Sequence, residues 1–200
     1  MNAPRPFHRL PARYFGTVAA DPPWKFQTHS PAGQARIEQH YKTMSLDEII
    51  ALPVRDLARR NAFLHLWVPG PFLVKGLHLR VMIAWGFEPV AMSFVWIKTK
   101  RGAIMWSLDA VNSFHFGNGY TTRKNAEFCV LGRRGDPVRR SARVRELIIS
   151  QRREHSRKPT EFIERVEEFS DGPYLEMFSR ERRAGWSTWG NQRDKFNESR

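Results

Sequence analysis

An aspartate followed by two prolines and a tryptophan, Asp21-Pro22-Pro23-Trp24, is the part of this sequence best suited to chemistry. The amino group of a nucleobase is a poor nucleophile, because its lone pair is delocalised into the ring. The Asp21 carboxylate and a proline carbonyl, for which we expect no competing N–H donor, can accept hydrogen bonds from both amino protons. Such a preorganised pair favours the positive charge that develops on the nitrogen as a methyl group is added. Trp24 can stack on the base.

The tetrapeptide therefore predicts methylation of a nucleobase amino group, and N6 of adenine is the leading candidate. No strong general base is needed, because the methylated nitrogen becomes acidic and its proton can pass to water. A base in a duplex must first leave its stack. Two alternatives stay open: methylation of cytosine N4, which is similar chemistry, and a catalytically inactive nucleic-acid-binding protein with the same fold.

A short apolar run over residues 15–20 predicts a buried strand that ends at Asp21. Further strands are predicted at 61–68, 90–98, 126–131, 174–178 and 186–190, and helices at 71–86 and from Pro159 onward. Ser45 and Glu48 form a capping-box pattern for another helix. This alternation predicts an α/β fold with helices on both faces of the sheet. Ligands of such sheets bind beyond the carboxyl ends of the strands, where Asp21 is expected.

Several segments do not fit the alternation. Residues 1–13 are rich in proline and arginine and predict a basic irregular arm before a single domain over residues 14–200. Residues 27–40 and 99–120 are long and irregular, which predicts substrate loops beside Asp21. Residues 132–145 are densely basic, so they either follow a phosphate backbone or form a solvated turn.

The composition narrows the class of protein. The formal net charge of +13 favours a polyanionic partner, most simply nucleic acid, although solubility or an anionic membrane could also explain it. No apolar run approaches the length of a membrane span. Cys129 is the single cysteine and the seven histidines show no metal-ligand spacing, so we expect no metal site and a cytoplasmic protein.

Ordered motifs along the chain resemble the MT-A70 (DPPW-type) family of N6-adenine methyltransferases, in particular its bacterial and phage members. The matching blocks beyond Asp21-Pro22-Pro23-Trp24 are Tyr41-Lys42-Thr43-Met44-Ser45, Leu64-His65-Leu66-Trp67-Val68, Trp96-Ile97-Lys98-Thr99, Ser156-Arg157-Lys158-Pro159, Glu176-Met177-Phe178-Ser179-Arg180 and Gly190-Asn191-Gln192. The resemblance implies a Rossmann-like sheet in permuted order, with the catalytic motif before the cofactor motif. It also implies S-adenosylmethionine as methyl donor.

The resemblance implies a cofactor site that includes Asp21. Lys158 is expected to pair with the methionine carboxylate and Phe178 to pack near the ribose, with Ser179 standing where many members have glycine. The residues expected to hydrogen-bond the ribose are Arg180, Asn191 and Gln192. What completes the adenine end of the pocket is open, and the basic arm is a candidate.

Substrate contacts are expected mainly from aromatic and basic residues near the predicted strand ends: Trp24, Tyr41, Trp96, Lys98, Lys100, Arg101 and Arg123. DNA is favoured over RNA as the polymer, because the chain resembles the bacterial and phage members. The family also leaves open a homo-oligomer or a partner subunit.

Overall fold

The computed structural model describes residues 6–25, 42–102, 113–117, 121–154 and 157–197. Within them, seven strands form one sheet, around which four α-helices and a short 3-10 helix (Val54–Asp56) pack. The strands are β1 (Phe15–Ala20), β2 (Ala58–Val68), β3 (Glu88–Thr99), β4 (Ala126–Arg134), β5 (Leu147–Gln151), β6 (Tyr174–Met177) and β7 (Trp186–Trp189). The helices are α1 (Leu46–Ile50), α2 (Gly70–Val74), α3 (Leu77–Ala84) and α4 (Thr160–Phe169).

The strand order, β5-β3-β4-β2-β1-β6-β7, places β1 inside the sheet. β1 pairs in parallel with β2 and β6, and the pairs β3–β5 and β6–β7 are also parallel. β4 is antiparallel to both of its neighbours, β2 and β3. The first residues of β4 therefore lie at the edge where the parallel strands end, beside Asp21.

Helices cover both faces of the sheet, as predicted. On one face, Met82 of α3 packs in a core cluster with Val18 of β1. On the other face, Val166 of α4 packs in a second cluster with Ala19. Val18 and Ala19 are consecutive, so the alternation of side chains along a strand sends each to a different face. The predicted α/β class, with helices on both faces of one sheet, is confirmed.

The predicted helix over residues 71–86 is wrong in detail, because it is two helices separated by Gly76. Gly76 adopts φ of +67°, a left-handed conformation that ends α2 and that a residue with a side chain adopts at a cost. β5 was missed altogether. Leu147 and Ile149 of β5 are exposed because the strand lies at the sheet edge, so the run lacks the signature of a buried strand.

The irregular segments differ from expectation. Residues 27–40 and most of 99–120 lie outside the described residues, so their predicted role stays a prediction. Residues 6–13 form turns, and Phe7 is buried against Trp189 of β7, with ring centroids 4.9 Å apart. The described part of the arm is therefore packed onto the sheet.

Residues 132–145 lie away from Asp21, and their role, along a phosphate backbone or as a solvated turn, stays a prediction. The segment begins inside β4, and because that strand is antiparallel its last residues lie at the opposite edge of the sheet. Two of its arginines are held there by carboxylates: Arg133 by Glu88 at 3.3 Å and Arg140 by Asp171 at 3.2 Å.

Candidate active site

The turn that carries Asp21 is fixed by backbone hydrogen bonds. The Trp24 N–H donates to the Pro22 carbonyl at 2.8 Å, and the Met44 N–H donates to the Pro23 carbonyl at 2.8 Å. The expectation that no N–H donor competes for the proline carbonyls is therefore wrong. A carbonyl oxygen carries two lone pairs, so that of Pro22 can still accept one further hydrogen bond. The bonds hold the turn in one conformation.

Trp24 anchors this turn in the core. Its side chain is 3% exposed, its indole N–H donates to the Trp67 carbonyl at 3.0 Å, and its ring lies 5.1 Å from that of Phe72. The predicted stacking of Trp24 on a base does not fit this position, because both faces of a buried ring are occupied by protein. Trp24 instead positions Asp21 by holding the residues that follow it.

We expect Trp24→Phe to destabilise the fold. The substitution keeps an aromatic ring but leaves the buried Trp67 carbonyl without its indole donor, which costs about 1–3 kcal/mol. Urea unfolding followed by circular dichroism measures the loss. Trp85→Phe is the matched control for stability. It removes a 3.0 Å hydrogen bond from another buried indole to the Ile49 carbonyl, away from this turn. A stability unchanged by Trp24→Phe would contradict the anchoring role.

A chain of alternating charges surrounds the Asp21 carboxylate. The Lys158 Nζ lies 2.7 Å from Asp21 Oδ2 and 3.0 Å from Glu127 Oε2, and the Lys98 ammonium pairs with the other oxygen of Glu127. The Lys158 ammonium also lies over the Trp67 ring, 5.1 Å from its centroid. Four charged side chains are thus held together at the carboxyl ends of the strands.

On the sequence alone, Glu127 could pair with Arg123 near the site or merely close a turn; the structure pairs it with Lys158 and Lys98 in the site. Glu127 is the second residue of β4, and only the antiparallel direction of that strand brings it to the edge where β1 ends. The signal was indirect: no helical pattern separates the predicted strands 90–98 and 126–131, and a parallel connection usually needs one.

The charges shift one another's protonation. Burial alone would raise the pKa of Glu127, but the ammonium groups of Lys158 and Lys98 hold it at about 2. Burial alone would lower the pKa of Lys158, but the carboxylates of Asp21 and Glu127 raise it above its ordinary value. Burial raises the pKa of Asp21 above its ordinary value, although the Lys158 ammonium opposes this shift. Lys158 contacts both carboxylates, yet the pKa of Glu127 is lowered whereas the pKa of Asp21 stays raised.

A cleft opens beside Asp21 between β1, β6 and the start of α4, with about 530 Å³ of empty space including its open mouth. Its lining is mixed and includes the apolar side chains of Phe162, Ile163 and Met177 as well as charged ones. The described charged and polar lining is Asp21, Arg157, Lys158, Glu176, Arg180, Glu181 and Arg183. Such a cleft suits a ligand that carries both apolar and charged groups.

The residues after β6 form a tight turn at this cleft. Phe178 adopts φ of +62°, and Gly190 lies so close that a Cβ there would be 2.7 Å from the Ser179 carbonyl oxygen. A side chain at position 190 would therefore displace the turn. The Ser179 hydroxyl donates to the Glu181 carbonyl at 2.6 Å, which shows how serine is accommodated where glycine was expected.

The predicted cofactor residues are partly brought together. Asp21, Lys158, Phe178 and Arg180 line the cleft, and Ser179 lies buried beneath it. Asn191 and Gln192 follow Gly190 and do not line the cleft; Asn191 is exposed and Gln192 half-buried. Residues that the sequence reasoning missed include Glu176, Arg157, Glu181, Arg183 and Phe196, all of which line it.

The residues fit the cofactor that the resemblance implies. The Lys158 ammonium has three protons and gives two to carboxylates, so one can meet a methionine carboxylate. The carboxylates of Asp21 and Glu176 suit the positive charges of the sulfonium and the ammonium. Among the described residues, buried Nε groups of Arg157 and Arg183 have no hydrogen-bond partner and can donate to a ligand. The same part of the chain holds no cluster of metal-ligating side chains and no helix long and apolar enough to cross a membrane.

The predicted substrate residues separate into buried and exposed sets. Trp96 is buried in the core beneath Lys98, whose ammonium lies 4.9 Å from its ring centroid, so the predicted contact of Trp96 with a base does not fit. The Lys98 ammonium pairs with Glu127, and its contact with substrate stays a prediction. Lys100, Arg101 and Arg123 are exposed at the edge of the sheet where β3 ends. Tyr41 lies outside the described residues.

Comparisons with known proteins extend over nearly the whole chain. The MT-A70 family model matches residues 15–192. The Type II methyltransferase M.MunI from Mycoplasma sp is 27% identical, and the alignment covers 92% of this chain and 80% of that relative.

Two eukaryotic relatives match over a smaller share of their own length. The putative N(6)-adenosine-methyltransferase MT-A70-like protein of Medicago truncatula is 30% identical, over 89% of this chain and 26% of the relative. The human N(6)-adenosine-methyltransferase catalytic subunit METTL3 is 29% identical, over 90% of this chain and 28% of the relative. The chain thus spans about a quarter of these two proteins and most of M.MunI.

Proposed function

Because the chain belongs to the MT-A70 family, we propose that it is an adenine-N6 methyltransferase that takes its methyl group from S-adenosylmethionine and acts on DNA. The observation that carries the proposal is the Asp21 carboxylate, held by Lys158 at the end of β1 and at the wall of a cleft that fits the methyl donor. The family supports the reaction, and the site supplies the groups that the reaction needs.

DNA is the polymer that the relatives favour. The chain matches most of the length of a Type II methyltransferase, whereas it matches only about a quarter of the relatives named as adenosine methyltransferases. The human relative is named as a catalytic subunit, so a partner subunit or a second copy of this chain stays a prediction here. We also propose that the protein works in the cytoplasm, where its methyl donor is made.

The chain's own residues orient the amino group. The Asp21 carboxylate and the remaining lone pair of the Pro22 carbonyl accept hydrogen bonds from the two N6 protons. This draws the nitrogen towards tetrahedral geometry and exposes its lone pair to the cleft. The fixed turn holds both acceptors before the base arrives, so little reorganisation is needed as positive charge develops on N6. S-adenosylmethionine, when bound, supplies a methyl group on a positively charged sulfur.

Glu176 gives the site a pH dependence. Burial raises its pKa to about 7, although the Arg183 guanidinium opposes this shift. Since the folded protein binds this proton more tightly than the unfolded chain does, the protonated group stabilises the fold at low pH. That contribution is lost as the pH rises through about 7. A bound cation favours the ionised carboxylate, so cofactor binding releases the proton.

We therefore expect the affinity for S-adenosylmethionine to rise by up to about tenfold between pH 6 and pH 8, since the binding of one proton is linked to it. Calorimetry in buffers of different ionisation enthalpy measures both the affinity and the proton release. Glu176→Gln should remove most of this dependence, and Glu164→Gln, at an exposed position of α4, should preserve it. If the rise in cofactor affinity with pH were the same in Glu176→Gln as in the wild type, another group would be responsible for the titration.

The function is tested by incubating the protein with labelled S-adenosylmethionine and DNA or RNA oligonucleotides of matched sequence. Nucleoside mass spectrometry then identifies the product. The expected result is N6-methyladenine in DNA. No product should form when each adenine is replaced by unsubstituted purine, which lacks the 6-amino group. N4-methylcytosine would show that the amino group of cytosine is the substrate. Tight binding of DNA with neither cofactor binding nor methyl transfer would show an inactive binding protein.

A further inference from the structure

Phe116 is an aromatic side chain presented to solvent, 69% exposed, near the end of β3. The backbone beneath it is fixed: the His115 N–H donates to the Lys98 carbonyl at 2.7 Å, and the Lys100 N–H donates to the Ser113 carbonyl at 2.9 Å. Phe116 therefore stands on a short extension of the sheet, and little conformational entropy is lost when a ligand contacts its ring.

Gly117 fastens this extension to the segment that precedes β4. A Cβ at position 117 would lie 2.1 Å from the Lys124 carbonyl oxygen, so the two backbones approach as closely as they do because this residue is glycine. The same packing places Arg123 over the Phe116 ring, with its guanidinium carbon 5.0 Å from the ring centroid. The exposed ring and the arginine thus form one unit.

Further cationic side chains lie on the segments that adjoin this unit. Lys100, Arg101, Lys124 and Arg152 are all exposed, and the backbone N–H of Arg152 donates to the Thr99 carbonyl at 3.0 Å, which ties the start of the next segment to the same place. The neighbouring carboxylate of Glu127 is turned inward to Lys98 and Lys158. An exposed aromatic ring beside exposed cations is complementary to a nucleic-acid strand, which offers stacking bases and phosphates together.

The position of Phe116 relative to Asp21 fits a strand that enters the site. β3 and β1 are separated in the sheet by β4 and β2. Three strand spacings amount to about 14 Å along the edge at which both strands end. A single strand rises about 3.4 Å per stacked nucleotide, so this distance spans a few nucleotides.

We propose that Phe116, backed by Arg123 and flanked by Lys100, Arg101, Lys124 and Arg152, is a stacking platform for a base a few nucleotides from the target adenine. The proposal rests on the proposed function, since it takes DNA as the ligand. It deepens that function by naming the surface that grips the strand outside the catalytic pocket.

The test is fluorescence anisotropy with a labelled single-stranded DNA oligonucleotide and the full chain, at several salt concentrations and without cofactor. Phe116→Ala should weaken binding by about tenfold or more, because one stacking contact is lost. It should leave the salt dependence unchanged, whereas Lys100→Gln with Arg101→Gln should lower the slope of log K against log salt by about 2. Phe116→Trp should preserve the affinity.

Tyr14 offers a matched control, since it is 45% exposed and also carries an arginine over its ring, that of Arg59 at 5.8 Å. It precedes β1 and so lies at the opposite edge of the sheet. Tyr14→Ala should leave DNA affinity unchanged. An oligonucleotide made of abasic sites should bind the wild type and Phe116→Ala equally, because it has no base to stack.

Equal DNA affinity of Phe116→Ala and the wild type would overturn the proposal. If the sedimentation of the variant changed in that case, the surface would be a protein interface. Failure of the proposed function is separate. Loss of binding in Phe116→Ala, together with no methyl transfer by the wild type, would support the platform and contradict the enzyme. Methyl transfer by the wild type, together with equal DNA affinity of Phe116→Ala and the wild type, would support the enzyme and contradict the platform.

Discussion

Asp21→Asn should lower the rate of methyl transfer by about a thousandfold or more while the protein stays folded. The substitution replaces the carboxylate that accepts a hydrogen bond from N6 with an amide that presents either a neutral oxygen or a donor. Removing one preorganised group of this kind typically costs 10²–10³ in rate, and about tenfold more is reasonable where the lost group also carried the charge opposite a developing cation.

The fold should tolerate this change. Burial raises the pKa of Asp21, which means that the ionised form is less favourable in the folded protein than in the unfolded chain. A neutral residue of the same shape therefore costs little stability, and Lys158 keeps its pair with Glu127. Asp21 is in this respect a residue retained for chemistry at the expense of stability.

Single-turnover transfer of labelled methyl groups measures the rate, and calorimetry with S-adenosylmethionine measures whether the cleft is intact. Asp47→Asn is the matched control, since Asp47 is an exposed residue of α1 whose ion pair with Arg80 is also exposed. In the wild type, the rate of methyl transfer should fall with acid at a higher pH than the pKa of an ordinary aspartate would give, because the pKa of Asp21 is raised. Substantial turnover by Asp21→Asn would refute its assigned role.

Lys158→Met should destabilise the protein by about 3–5 kcal/mol and abolish measurable cofactor binding at ordinary concentrations. The substitution leaves Asp21, a partly buried carboxylate, without its ion-pair partner, while Glu127 keeps its pair with Lys98. Removing one partner of such a pair costs about this much. The donor proposed for the cofactor carboxylate is lost as well. Urea unfolding and calorimetry measure the two effects separately.

The pH dependence of stability should also change in Lys158→Met. Because the pKa of Glu127 is about 2 in the folded protein and 4.5 ordinarily, its ionisation stabilises the wild type above about pH 4.5. That contribution is lost as the pH falls from 4.5 towards 2. In Lys158→Met the part of this contribution that depends on Lys158 should disappear while Lys98 retains the rest, so the stability difference between the variant and the wild type should be largest near neutral pH.

A second substitution separates the structural effect from the functional one. Adding Glu127→Gln to Lys158→Met removes one of the two neighbouring carboxylates and should restore part of the stability without restoring cofactor affinity. Lys158→Arg should retain part of the stability and part of the cofactor affinity. Lys75→Met, at an exposed position after α2, is the control for the loss of a lysine as such. Equal stability of Lys158→Met and the wild type would show that the three charged groups are not coupled.

The reaction and the family were readable in the sequence because both rest on local features. A strand followed at once by Asp21 is a short-range pattern, and the ordered motifs needed only comparison along the chain; the family match over residues 15–192 confirms the family and the class of reaction. The two faces of the sheet were predicted because side-chain alternation and helical spacing are properties of neighbouring residues.

What only the tertiary structure decided was the direction of strands and the burial of particular side chains. Glu127 joins Asp21 and Lys158 because β4 runs antiparallel, and the same reversal carries residues 132–145 away from the site. Trp24 and Trp96 have the right chemistry to meet a base, but packing from distant segments buries both. Burial and pairing depend on contacts between residues far apart in the chain, and the type of a residue does not fix them.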